Sequence, residues 1–212
     1  MHVRLRVRTV GMQQSNQTLK KTLVTTEANV SFYYCAISNR GKKMNFRTFF
    51  EKLNDAENKS SVENAYSHII DYVFDVILDK NVFSLIDTST WNKGADGRIV
   101  PKNIISTPDF VITDRNYKFN DNTSNAYGCI EVKYADKDVK QSLRLCDDGD
   151  SKGYLHHYQN VLYTNGWIWI YYDRKTTPKW TINFRENQTN KEFGRLLYEL
   201  CSIEWKNLKV ND

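Results

Sequence analysis

The chain has 212 residues, 40% of them hydrophobic, with 30 Lys and Arg against 25 Asp and Glu for a formal charge of +5. That length is enough for one domain with a real core, and the mild positive balance permits contact with a polyanion without the extreme charge of a histone-like binder. Cys35, Cys129, Cys146 and Cys201 form no close pair, which argues against a structural zinc site; no run approaches a membrane span, and the N-terminus lacks the apolar core of a secretory leader, so the expected setting is a reducing cytoplasm.

The first 43 residues read as an N-terminal extension. Arg4, Arg6, Arg8 and Lys20-Lys21 make its start basic, as either a phosphate-contacting arm or a disordered terminus. Thr22 to Ile37 is rich in β-branched and aromatic residues and suits an extra strand or hairpin. Phe46, Phe49, Phe50 and Leu53 then recur at helical spacing. From Val62 the apolar positions Tyr66, Ile69, Ile70, Val73, Phe74, Ile77 and Leu78 predict a second helix, with Ser60 or Ser61 as its cap and Glu63 in its first turn. A polar loop follows, carrying Lys93, Arg98 and Lys102; its Gly94 and Gly97 do not fit a phosphate-binding loop.

Two short apolar runs come next. Asp109 opens Asp109-Phe110-Val111-Ile112-Thr113, and Gly128-Cys129-Ile130 leads into Glu131-Val132-Lys133. The polar, Asn-rich stretch from Arg115 to Asn125 separates them, which predicts adjacent antiparallel strands joined as a hairpin. Beyond lie a short helix over Gly153 to Gln159, a strand over Asn160 to Thr164, a tight Asn165-Gly166 turn and a returning strand from Trp167 to Tyr172. Trp167 and Trp169 alternate with Ile168 and Ile170, so at least one face of that strand packs into a core. Trp180 to Phe184 alternates as another strand, and Phe193, Leu196, Leu197, Leu200 and Ile203 mark a C-terminal helix. His156-His157 points to a surface or nucleic-acid-facing pair, because neighbouring residues on a helix do not share a face.

The chemistry lies in the two runs. Strand interiors normally reject charge, and two acids with a lysine there need a partner. Glu131 and Lys133 share one strand face while Val132 faces away. Asp109, Glu131 and the Val132 carbonyl would form an oxygen-only site suited to Mg²⁺ or Mn²⁺, with Lys133 directed at the same waters. Such a set can hydrolyse a phosphodiester. Lys93, Arg98 and Lys102, in the loop before Asp109, would position the nucleic-acid backbone.

Pro108-Asp109, a gap, then Glu131-Val132-Lys133 resembles the PD-(D/E)xK nuclease superfamily. The order of acidic helix, Pro-Asp strand, hairpin, Glu-x-Lys strand, helix and strand over about residues 60 to 175 is similar to its core, and the later segment is most like the N-terminal nuclease domains of type I and single-chain restriction-modification enzymes. The resemblance implies an α/β fold with a restriction-endonuclease-like core, a mixed central sheet flanked by helices, in one nuclease-like domain spanning 1 to 212. It implies a Mg²⁺-dependent DNA endonuclease of a restriction or defence type, with Asp109 and Glu131 as ligands and Lys133 activating water. Glu63 matches a further acid of the site; its plain reading is a charge complementing the helix dipole. That group's Gln-x-x-Arg-Tyr helix is not matched: with Tyr158 in the Tyr position, Tyr154 and His157 replace the Gln and the Arg, and Gln159 stands out of register as the polar candidate for nucleic-acid contact. Expected partners are DNA and a translocase, methyltransferase or specificity subunit, with a homodimer as a route to double-strand cuts. The alternatives are a catalytically silent DNA-binding or assembly module of the same fold, and a nuclease for RNA or junctions.

Overall fold

The computed structural model describes residues 44–59, 64–89, 108–118, 125–133 and 153–206. The elements run α1 (Phe46–Lys59), α2 (Asn64–Ile77), β1 (Phe83–Asp87), β2 (Phe110–Asp114), β3 (Ala126–Val132), α3 (Tyr154–His157), β4 (Asn160–Thr164), β5 (Ile168–Asp173), β6 (Trp180–Asn183) and α4 (Asn190–Cys201). The six strands form one mixed sheet in sequence order. All neighbours are antiparallel except β3 and β4, which run parallel with Val132 beside Thr164. The α/β expectation holds. The predicted hairpin appears as β2 and β3, with Phe110 paired to Ile130. Strand β1 was not anticipated; it is an edge strand of partly exposed residues with no strong alternation to announce it. The expected strand or hairpin over Thr22 to Ile37 lies outside the described residues.

Side-chain alternation gives the sheet two unlike faces. Phe110, Ile112, Ile130, Val132, Leu162, Trp169, Tyr171 and Ile182 join the apolar residues of α1, α2 and α4 in the larger core. The helices cover that face because their apolar stripes demand it: Phe49, Phe50 and Leu53 on α1, and Phe193, Leu196, Leu197 and Leu200 on α4, are all buried. Asn45 Oδ1 accepts the Thr48 N–H at 2.7 Å ahead of α1, and Thr189 Oγ1 accepts the Glu192 N–H at 3.2 Å to cap α4. On the opposite face Val111, Cys129, Val161, Tyr163, Ile170 and Tyr172 pack with Tyr154 and Tyr158 from the α3 region. Among the described residues no helix is long and apolar enough to cross a membrane.

The connection from β4 to β5 corrects the sequence expectation. A two-residue turn with Asn165 and Gly166 both at positive φ was expected. Instead Thr164 pairs with Trp169 and the Asn165 N–H donates to the Ile168 carbonyl at 3.2 Å, so the tight turn is centred one residue later, on Gly166 and Trp167. Of Asn165 and Gly166, only Gly166 has positive φ, at 80°. Asn165 turns the chain with its side chain, since Oδ1 accepts the N–H groups of Trp167 (3.1 Å) and Ile168 (2.8 Å). Gly166 also lies hard against the helical layer: a Cβ there would stand 2.4 Å from Leu53 Cδ2. Gly166→Ala combines left-handed strain with a clash, and is expected to cost about 2 kcal/mol or more. Urea unfolding checks this; a change under about 0.5 kcal/mol would show that the turn tolerates a side chain.

Candidate active site

The site forms where β2 begins and β3 ends. Extending the pairing of Phe110 with Ile130 by one residue sets Asp109 opposite Glu131, and directly opposed residues of an antiparallel pair share a face. Two bonds hold the approach to Asp109. The Thr88 N–H donates to the Asp109 carbonyl at 2.8 Å, and the fully buried Thr88 hydroxyl donates to the Pro108 carbonyl. The end of the unanticipated β1 therefore fixes the Pro-Asp segment. Asp109 Oδ2 accepts the Val132 N–H at 2.6 Å, so the carboxylate is tied to the backbone of the strand that carries the other acid. A charged acceptor on a backbone N–H is among the stronger hydrogen bonds in proteins.

Glu131 is 8% exposed and lies on the face that carries Cys129. Both its oxygens are engaged. Oε1 accepts from Lys133 Nζ at 2.6 Å, and Oε2 accepts from the Tyr154 hydroxyl at 2.7 Å. Lys133 and Glu131 form an ion pair with side chains only 12% and 10% exposed. The pair confirms that the two share a face. The Lys133 N–H donates to the Thr164 carbonyl at 2.8 Å, carrying the β3–β4 ladder one residue past the strand end and anchoring the lysine backbone. Val132 meets Asp109 through its N–H, while its side chain is fully buried in the helix-covered core.

Electrostatics follow from burial beside two acids. The Cys129 thiol is pushed well up by burial, and the charges of Glu131 and Asp109 add to the shift. This cysteine is a small hydrophobe rather than a nucleophile. Burial also drives the Tyr154 hydroxyl far above its ordinary value, reinforced by the Glu131 charge and by its hydrogen bond to that carboxylate. Tyr154 acts here as a hydrogen-bond donor to Glu131.

Among the described residues no group of three or more His, Cys, Asp and Glu side chains comes together as a metal site. Asp109 and Glu131 fall below that count, but they match the demand of Mg²⁺, which takes one or two carboxylates and completes its shell with water and substrate phosphate. Their donor set is hard and oxygen-only, and Lys133 neutralises part of its charge in the arrangement seen.

Glu63, Lys93, Arg98 and Lys102 lie outside the described residues. Gln159 is not at the site. It precedes Asn160, which pairs with Gly128 at the far end of the β3–β4 ladder, roughly 13 Å along the strands from Glu131. Its Oε1 accepts from Arg174 at 2.5 Å. His156 is exposed and His157 partly buried, and their rings approach to 4.8 Å rather than pointing apart as helical spacing predicts. Sequence reasoning missed two supports, Thr88 and Tyr154. Thr88 gave no signal. Tyr154 gave one, a tyrosine where the restriction-enzyme pattern has Gln, but its partner could not be read from spacing.

The ion pair makes a prediction that needs no assumption about function. Removing the ammonium leaves a buried carboxylate without its counter-charge, so Lys133→Met should cost about 3 kcal/mol in urea unfolding. Adding Glu131→Gln, which keeps an acceptor for Tyr154 but carries no charge, should recover most of that loss. Equal stability of the wild type and Lys133→Met would mean that the pair is not buried in solution. Comparison with protein-family models, with curated proteins and with solved structures finds no match to this chain.

Proposed function

We propose that the chain is a metal-dependent endonuclease that hydrolyses DNA phosphodiester bonds on a restriction-endonuclease-like core, in restriction or another defence against foreign DNA. The observation that carries the reading is the register that sets Asp109 opposite Glu131, with Asp109 bonded to the Val132 N–H and Lys133 paired to Glu131. The motif needs two adjacent strands to bring these residues together, and the β2–β3 pairing supports it.

In this reading Asp109 and Glu131 hold Mg²⁺ or Mn²⁺ between the strand ends. When bound, the ion supplies Lewis-acid stabilisation of the phosphoryl charge and a more acidic water. The chain's own residues do the rest. Asp109 is held in place by the Val132 N–H, so it need not reorganise to bind. Lys133, paired to Glu131 Oε1 in this structure, would turn its ammonium to the attacking water and the developing phosphoryl charge. Glu63 is a further acid in this scheme, and Lys93, Arg98 and Lys102 track the DNA backbone. A translocase, methyltransferase or specificity subunit would supply recognition that these residues do not.

A second reading has one observation behind it. Both Glu131 oxygens are engaged by side chains of the chain itself, as suits a silent DNA-binding or assembly module built on the same core. Plasmid cleavage with and without Mg²⁺ or Mn²⁺ separates the two. Metal-dependent nicking should appear in the wild type and fall by about a hundredfold or more in Asp109→Ala and in Lys133→Ala. DNA binding without cleavage, unchanged by either substitution, would favour the silent module. Cleavage of RNA or junctions alone would move the substrate and leave the chemistry.

A further inference from the structure

We infer that Tyr154 is the positioning residue of this site: its hydroxyl holds Glu131 Oε2 so that Oε1 alone is presented to a divalent cation. The inference deepens the nuclease reading and rests on it. Glu131 has two donors of opposite character. Lys133 reaches Oε1 on a flexible four-carbon stem. Tyr154 reaches Oε2 at 2.7 Å from a ring that is 1% exposed and rotates about only two side-chain bonds.

That ring is wedged in place. Its centroid lies 6.1 Å from that of Tyr163, on the strand beside β3, and 6.3 Å from that of Tyr158. The backbone of its short helix closes on itself, with the Tyr158 N–H donating to the Tyr154 carbonyl at 2.8 Å and the His156 N–H to the Gly153 carbonyl at 3.1 Å. Of the two donors, the lysine can swing away and the tyrosine cannot. A cation held by Asp109 and Glu131 would meet a carboxylate already oriented through Oε2, with Oε1, now paired to Lys133, as the oxygen left to it. Lys133 would then turn toward water. Groups that orient a ligand from behind typically set metal affinity by tenfold or more.

The test uses the full chain and calorimetric titration with Mn²⁺. Tyr154→Phe removes one oxygen and leaves the ring. Its Mn²⁺ affinity should fall about tenfold, and the metal concentration giving half-maximal plasmid cleavage should rise by the same factor. Tyr172→Phe removes a hydroxyl from the same aromatic layer, where Tyr172 is buried without reaching Glu131, and should leave Mn²⁺ affinity unchanged. Unchanged affinity in folded Tyr154→Phe overturns the inference, as does an equal loss in Tyr172→Phe. If Tyr154→Phe does not fold, 3-fluorotyrosine at position 154 reports directly. Its ¹⁹F resonance should move on Mg²⁺ titration and saturate with the calorimetric signal, and a resonance that stays still overturns the inference. A wild type that binds no Mn²⁺ overturns the nuclease reading itself, and is distinguished from the other failures because it appears before any substitution is made.

Discussion

Glu131 is a carboxylate with 8% of its surface exposed, set in a strand whose neighbours are aliphatic and aromatic. Ionised there without partners, it would cost several kcal/mol. The surrounding structure answers that demand. An ammonium arrives from two residues along the same strand face, and a tyrosine hydroxyl arrives from the short helix in the connection to β4. The other acid, Asp109, is drawn onto a backbone N–H of the next residue. Each answer constrains an element: β3 must end with Lys133 still on the Glu131 face, α3 must lie over the sheet, and the start of β2 must reach the end of β3.

Strand β3 serves two masters through its period of two. Ile130 and Val132 fill the core beneath the helices, while Cys129 and Glu131 face the other side. A slip of one residue would bury Glu131 among the aromatic rings of the helical layer and leave Val132 in the polar cluster. The thick hydrophobic core therefore enforces the geometry of the polar site on the reverse of the sheet. Gly128 contributes to the same fit, because a Cβ there would stand 2.6 Å from the Trp205 ring and 2.8 Å from the Asn160 carbonyl of the parallel neighbour.

Much of this was legible in the sequence, where one local signal decided the element. The amphipathic spacing of α1, α2 and α4 and the apolar runs of β2 to β5 correspond to the observed elements within a few residues. The Pro-Asp and Glu-x-Lys runs do meet, because a polar connection between two buried strands has few other solutions. What escaped depends on tertiary context. β1 is a half-exposed edge strand whose composition does not commit it. The Asn165-Gly166 pair promised a turn centred on those two residues, but the Asn165 side chain caps two backbone N–H groups and the turn centres on Gly166 and Trp167 instead. Tyr154 meets Glu131 across a separation of 23 residues, and no periodicity encodes such a contact. Gln159 was singled out as an out-of-register stand-in for the Gln of the restriction-enzyme helix, but parallel pairing puts it at the opposite end of the ladder.

The sheet is two three-stranded meanders joined by one parallel pair. Within each meander every strand is paired antiparallel to its neighbour in sequence. The junction of β3 with β4 can form only after the whole stretch 133–159 has been looped back, and such closures are entropically slow. Asp109, Glu131 and Lys133 belong to the first meander. The carbonyl that anchors the lysine belongs to the second, and the tyrosine that holds the glutamate lies in the crossover between them. The polar cluster is thus a product of docking. A nascent chain that has made only its first three strands has all three charged residues but neither the carbonyl that anchors the lysine nor the hydroxyl that holds the glutamate.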